Sequence, residues 1–164
     1  EGRGENNGRL WEMRNGYALP SQRGLAAIDE QLKAMSEADC KLMKEHQGML
    51  LACPEYDSSI TAVLKNTIDW VSRPREGEPP LAAFTGKVAA LMSASPGALG
   101  GLRGLVHIRS ILGNIGVTVL PNQIAVPKAM EAFDADGSLK DARLAGKVAG
   151  LSGELVDTTR RMHG

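Results

Sequence analysis

The chain has 164 residues, with 19 basic and 19 acidic side chains and no net charge. That length suits one domain with a sizeable core, and residues 1–164 are read as a single domain. The balanced charge gives no reason to expect nucleic acid as a partner. No apolar stretch approaches the ~20 residues that span a bilayer and no signal peptide is recognised, so no membrane partner is expected. Cys40 and Cys53 are widely separated, with no His cluster near them. They read as two reduced thiols, as in the cytoplasm, rather than a disulfide or metal pair.

Residues 1–9 are rich in Gly, Asn and charge, and no apolar strand precedes Met49. From Leu25 onward, helix and strand patterns alternate. Ala34 to Glu45 reads as a helix with Met35, Ala38, Leu42 and Met43 on its apolar side. Gly48-Met49-Leu50-Leu51-Ala52 is a short uninterrupted apolar run, as in a strand buried on both faces, and the strand is placed at Met49 to Cys53. Ile60, Val63, Leu64, Ile68 and Val71 share one face of a helix from about Ile60 to Val71. Pro74 to Pro80 is a surface loop. Lys87 to Met92 reads as a second buried strand and Gly101 to Gly113 as a helix. Val117 to Leu120 reads as a third strand, stopped by Pro121. Asp136-Gly137 is a turn, and Asp141 to Met162 is the last helix. Strands alternating with helices predict a parallel sheet covered on both faces.

The segment Cys53-Pro54-Glu55-Tyr56-Asp57-Ser58-Ser59 joins a strand to a helix, at the sheet edge where open α/β folds bind ligands. With Leu64-Lys65-Asn66, Asp69-Trp70 and Ser72-Arg73-Pro74 downstream, it resembles the NADPH-dependent FMN reductase family. The similarity runs from roughly Leu25 to Met162 and implies a flavodoxin-like three-layer α/β fold, with sheet order 2-1-3-4-5. The first two strands of that order are not recognisable here. Losing a central strand leaves buried backbone groups unpaired, at about 1–3 kcal/mol each. Segments are therefore expected to be missing between Glu1 and Leu25; a genuine N-terminal divergence is the alternative.

The resemblance also implies a site. The family's phosphate loop follows Gly-Ser-x-Arg-x-x-Ser-x-Asn-x-x-Leu. Arg3, Asn7 and Leu10 look like its tail, one residue short and without the loop serine, with Leu10 to Ala18 as the first helix. Arg3, Asn6 and Asn7 would then contact the phosphate or ribityl chain of FMN; a polar terminus with no ligand is the other reading. Pro54, Glu55, Tyr56, Asp57, Ser58 and Ser59 would hold the isoalloxazine, with Ser58 or Ser59 also capping the next helix. The family usually has Asn where Asp57 stands, and a carboxylate accepts but does not donate. Ser93, Ser95, Gly97, Gly100 and Gly101 match the family's Ser-x-Ser-x-Gly-x-x-Gly-Gly flavin loop, where glycines allow close backbone approach. A Rossmann loop fits poorly, because the spacing is not Gly-x-Gly-x-x-Gly and no acidic residue follows ~20 positions on.

The implied chemistry is NAD(P)H-dependent reduction of a small-molecule electron acceptor through noncovalent FMN, in a homodimer or homotetramer. No catalytic acid or base and no metal is expected. The alternatives are a flavin carrier without turnover and an apo interaction module. Lys65 and Asp69 read as an exposed i, i+4 pair. Arg103, His107 and Arg109 read as helix polarity or subunit contacts, and His46 and His163 as solvated.

Overall fold

The protein is described by a computed structural model at residue 37 and residues 39–164. Its layers follow from apolar alternation along one strand. In β4 (Val88–Ala94) the first four side chains are fully buried. Ala89 and Leu91 join one core cluster, and Val88 and Ala90 join another. Successive side chains of a strand point to opposite faces, so β4 is central and both faces are covered. The first cluster takes Ile68, Val71, Leu105, Ile108 and Leu112 from two helices. The second takes Leu151 and Leu155 from the last helix.

The element order is α1 (residues 39–45), β1 (Gly48–Ala52), β2 (Glu55–Tyr56), β3 (Ser59–Ile60), α2 (Ala62–Val71), β4, α3 (Leu102–Asn114), β5 (Thr118–Val126), α4 (Ala129–Ala132) and α5 (Ala142–His163). The main sheet runs β1-β4-β5 with both pairings parallel. That is the α/β layering expected, and it matches the third to fifth strands of the flavodoxin-like order. The missing-strand expectation for residues 1–25 lies outside the described residues.

Three local expectations are corrected. Pro121 does not stop the third strand: β5 runs through it to Val126. Pairing advances from 89 to 91 on β4 but from 119 to 123 on β5, so Leu120–Asn122 form a bulge. A proline without an N–H is tolerated where the ladder is already broken. Arg109 holds the bulge from α3, donating to the Leu120 carbonyl at 2.7 Å and to Gln123 Oε1 at 2.9 Å. The helix expected from Ile60 starts at Ala62, because Ser59 and Ile60 pair back onto Tyr56 and Glu55. Thr61 caps it instead of Ser58 or Ser59, accepting from Leu64 N at 3.2 Å. Finally, β1 is not buried on both faces. Met49 and Leu51 pack on the first cluster, while Leu50 is 46% exposed.

Candidate functional site

Strands β1 and β4 end side by side, and each is followed by a loop at the carboxyl edge of the sheet. Cys53 N donates to the Met92 carbonyl at 2.7 Å, the last rung before the chains diverge. After β1, residues 55–60 form a hairpin with only two residue pairs. Its loop residues, Asp57 (φ 47°) and Ser58 (φ 66°), are both left-handed. A two-residue loop of the I′ kind requires this, and it favours Asn, Asp and Gly. The turn thus explains why a short polar residue occupies position 57. Tyr56 stands 71% exposed beside it.

The second loop, Ser93–Gly101, is built inward. Ser93 is buried and its hydroxyl donates to the Gly100 carbonyl at 2.6 Å. Gly100 (φ 61°) and Gly101 (φ 88°) are left-handed. A Cβ on Gly100 would lie 2.6 Å from the Val126 backbone, and one on Gly101 would lie 2.8 Å from Ser93. The close approach that needs these two glycines is therefore to the protein itself. Gly97 differs: a Cβ there would meet only Ser95 Oγ, at 3.7 Å. Ser95 is fixed through its backbone, with its N–H on Val126 and its carbonyl on Ala129 N.

Helix α3 ties the loops together. Arg103 donates to Glu55 Oε1 through Nε at 3.0 Å and Nη2 at 2.6 Å, and Gly104 N donates to Oε2 at 3.1 Å. The Arg103 guanidinium and the Gly104 N–H hold the Glu55 carboxyl below the usual carboxylate range. One turn on, His107 Nδ1 lies 2.8 Å from Ser59 Oγ. Glu55 and Ser59 are four residues apart, as are Arg103 and His107, so hairpin and helix meet in register. Arg103, His107 and Arg109 thus have partners within the chain. The Glu55 carboxylate faces α3 and takes up the positive end of that helix.

The structure therefore brings Pro54–Ser59 and Ser93–Gly101 together, as the sequence predicts for a shared site. Arg3, Asn6 and Asn7 lie outside the described residues. Beside the two loops is an apolar cavity of about 320 Å³, lined in part by Ala52, Pro54, Met92, Val126 and Phe133. Cys53 also lines it, and burial pushes its thiol up to about 11. At neutral pH it is a protonated thiol, not a nucleophile. No group of three or more His, Cys, Asp or Glu able to hold a metal is found among the described residues.

These residues fit the ring end of a flavin: an exposed aromatic, an uncharged turn backbone and an apolar wall. They do not supply an anion site at α3, since the Glu55 carboxylate already occupies its N-terminus. His46 and His163 are exposed, each against one backbone carbonyl, of Leu42 and Gly86.

A parallel sheet with two interlocked loops at its carboxyl edge defines a flavodoxin-like ligand-binding fold. Residues 8–131 match the model of the NADPH-dependent FMN reductase family, and the chain belongs to that family. It is 38% identical over 126 residues to an NAD(P)H-dependent FMN reductase of Pseudomonas aeruginosa, covering 76% of this chain and 60% of that protein. It is 36% identical over 101 residues to a quinone reductase of Escherichia coli, covering 58% and 51%. Among solved structures it resembles FerB, a flavoenzyme NAD(P)H:(acceptor) oxidoreductase of Paracoccus denitrificans, with a TM-score of 0.66 and 25% identity. That match covers 89% of this chain and 76% of the other. The chain spans about half to three-fifths of the length of the curated relatives it matches.

Proposed function

We propose that this chain binds FMN noncovalently at the carboxyl edge and reduces a small-molecule acceptor with NAD(P)H. The acceptor is a quinone, an azo compound, chromate or free flavin. The observation that carries the reading is the junction of the two flavin-motif loops, locked side by side through α3. Family membership and relatives named as FMN and quinone reductases support it. Tyr56 and the Asp57–Ser58 turn backbone would hold the ring, with Ser95 and Gly97 on the other side; Ser93, Gly100 and Gly101 keep that second loop in shape. FMN, when bound, would supply the two-electron chemistry that couples NAD(P)H oxidation to reduction of the acceptor. The protein orients the ring through the turn backbone and the apolar wall beside it. None of its own side chains is needed as an acid or base.

A homodimer or homotetramer is part of this proposal. Leu102 and Val106 stand 40% and 58% exposed on α3, and Leu99 is 50% exposed in the loop before it. A cytoplasmic location fits the two free thiols; among the described residues, no helix is long and apolar enough to cross a membrane. The test is an FMN titration of the full chain, followed by NAD(P)H oxidation with and without a quinone. Binding plus quinone-dependent turnover is expected. Binding without turnover would point to a flavin carrier, and no binding would sink the reading.

A further inference from the structure

We propose that Arg103 is a positioning residue of the flavin site, acting through Glu55 to hold the Asp57–Ser58 turn in its left-handed form. The inference rests on the flavin reading above. A hairpin of two residue pairs is not stable alone. Two consecutive non-glycine residues in the left-handed region persist only where the surroundings impose them. The hairpin therefore takes its shape from what grips it, and that grip is concentrated at one end of α3.

Glu55 opens the hairpin, and its side chain is only 9% exposed, whereas Arg103 is 55% exposed and covers it. Three hydrogen bonds converge on the two carboxylate oxygens, two of them from the Arg103 guanidinium. Charge-assisted bonds are the strong ones. At the far side of the turn the Ser59 carbonyl approaches Gly104 so closely that a Cβ there would lie 3.2 Å away. Removing the guanidinium leaves Gly104 N and His107 as the side-on contacts, neither of which restrains the outer face of Glu55. The turn then samples other conformations, and the ring loses a preformed seat. Arg103 acts without touching the ring.

The experiment uses the full 164-residue chain, with FMN affinity read by flavin fluorescence quenching and amide hydrogen exchange read on the FMN-free protein. Arg103→Gln is expected to weaken FMN binding about tenfold, the size of a lost charged hydrogen bond. Exchange should accelerate at Tyr56 to Ser59 and stay unchanged in β4, which separates a loosened turn from a destabilised fold. Glu55→Gln should behave alike, and the double variant should be no worse than either single one. Arg103→Lys should recover part of the affinity, since an ammonium can reach Oε1 but has no fork. Wild-type affinity in Arg103→Gln would overturn the inference, as would unaltered exchange in the turn. Multiplied losses in the double variant would also overturn it, because Arg103 would then act on the ligand directly. A wild-type chain that does not bind FMN would overturn the flavin reading and this inference with it. Binding by wild type with equal binding by Arg103→Gln overturns the inference alone.

Discussion

Of the two loops at the sheet edge, Ser93–Gly101 is fixed from within and Pro54–Ser59 from without. The first is shaped by a buried hydroxyl, by Gly100 pressed against the Val126 backbone and by Gly101 pressed against Ser93. The second is a short hairpin steadied by exposed side chains of α3. An inward-built loop admits no larger residue at Gly100 or Gly101, and its failure spreads to the core. An outward-held loop can be loosened by one surface charge while the core stays intact. The sheet edge is thus rigid on one side and adjustable on the other.

The sharpest test of this contrast is Gly100→Ala. The residue is left-handed, and the added methyl would lie 2.6 Å from backbone that cannot swing aside. A loss of about 3 kcal/mol or more is expected in chemical denaturation. A loss well under 1 kcal/mol would show that the glycine loop is not inward-built. Ser93→Ala is the next step down. It deletes the 2.6 Å bond to the Gly100 carbonyl and leaves a buried acceptor unpaired, which costs about 1–3 kcal/mol. Both variants should lose global stability, and neither should act on the hairpin alone.

The same contrast decides what the sequence could reveal. Apolar runs located β1, β4, α2, α3 and α5 to within a few residues, because burial writes a period into the chain. The two loops were legible as motifs, since glycine, proline and serine mark turns for conformational reasons. The Glu55–Arg103 and Ser59–His107 contacts were not: each joins residues 48 positions apart, and no local period encodes such a pairing. One sign was present. Arg103 sits in the first turn of α3 with no acidic residue there, a position where a cation opposes the helix dipole. A cation so placed calls for a carboxylate partner from elsewhere. The β5 extension was missed for a related reason. Pro121 ends a ladder only when the ladder needs its N–H, and the bulge at Leu120–Asn122 removes that need.

A milder perturbation should separate the loops by pH. The folded pKa of Glu55 lies below its ordinary 4.5. A lowered carboxyl pKa adds stability that is full above 4.5 and lost as the pH falls through the folded value. Acid should therefore release the hairpin while Ser93–Gly101 holds. Amide NMR shifts of Tyr56 to Ser59 should move below pH 4.5 in wild type. In Glu55→Gln that component should be missing. Equal movement of the Ser93–Gly101 amides in the same range would break the distinction between the loops.

The smallest expected effect is at Asp57, where the resemblance noted above implies Asn as the usual residue. The left-handed φ of 47° suits Asn at least as well as Asp, so Asp57→Asn should keep the fold and gain a few tenths of a kcal/mol at most. Its consequence lies in the ring. On the flavin reading, a carboxylate within a few ångströms of the ring would repel a flavin that becomes anionic on reduction, by about 1 kcal/mol. Replacing it with an amide removes that charge and adds a donor. FMN affinity should be equal or higher, and the reduction potential of bound FMN should rise, because the reduced form gains most. A paired binding and redox titration of the two proteins reads both. A large loss of affinity, or a lower potential, would mean that the carboxylate accepts a bond from the ring or a neighbour. The adjustable side of the site would then be set by a specific contact at residue 57 as well as by the grip of α3.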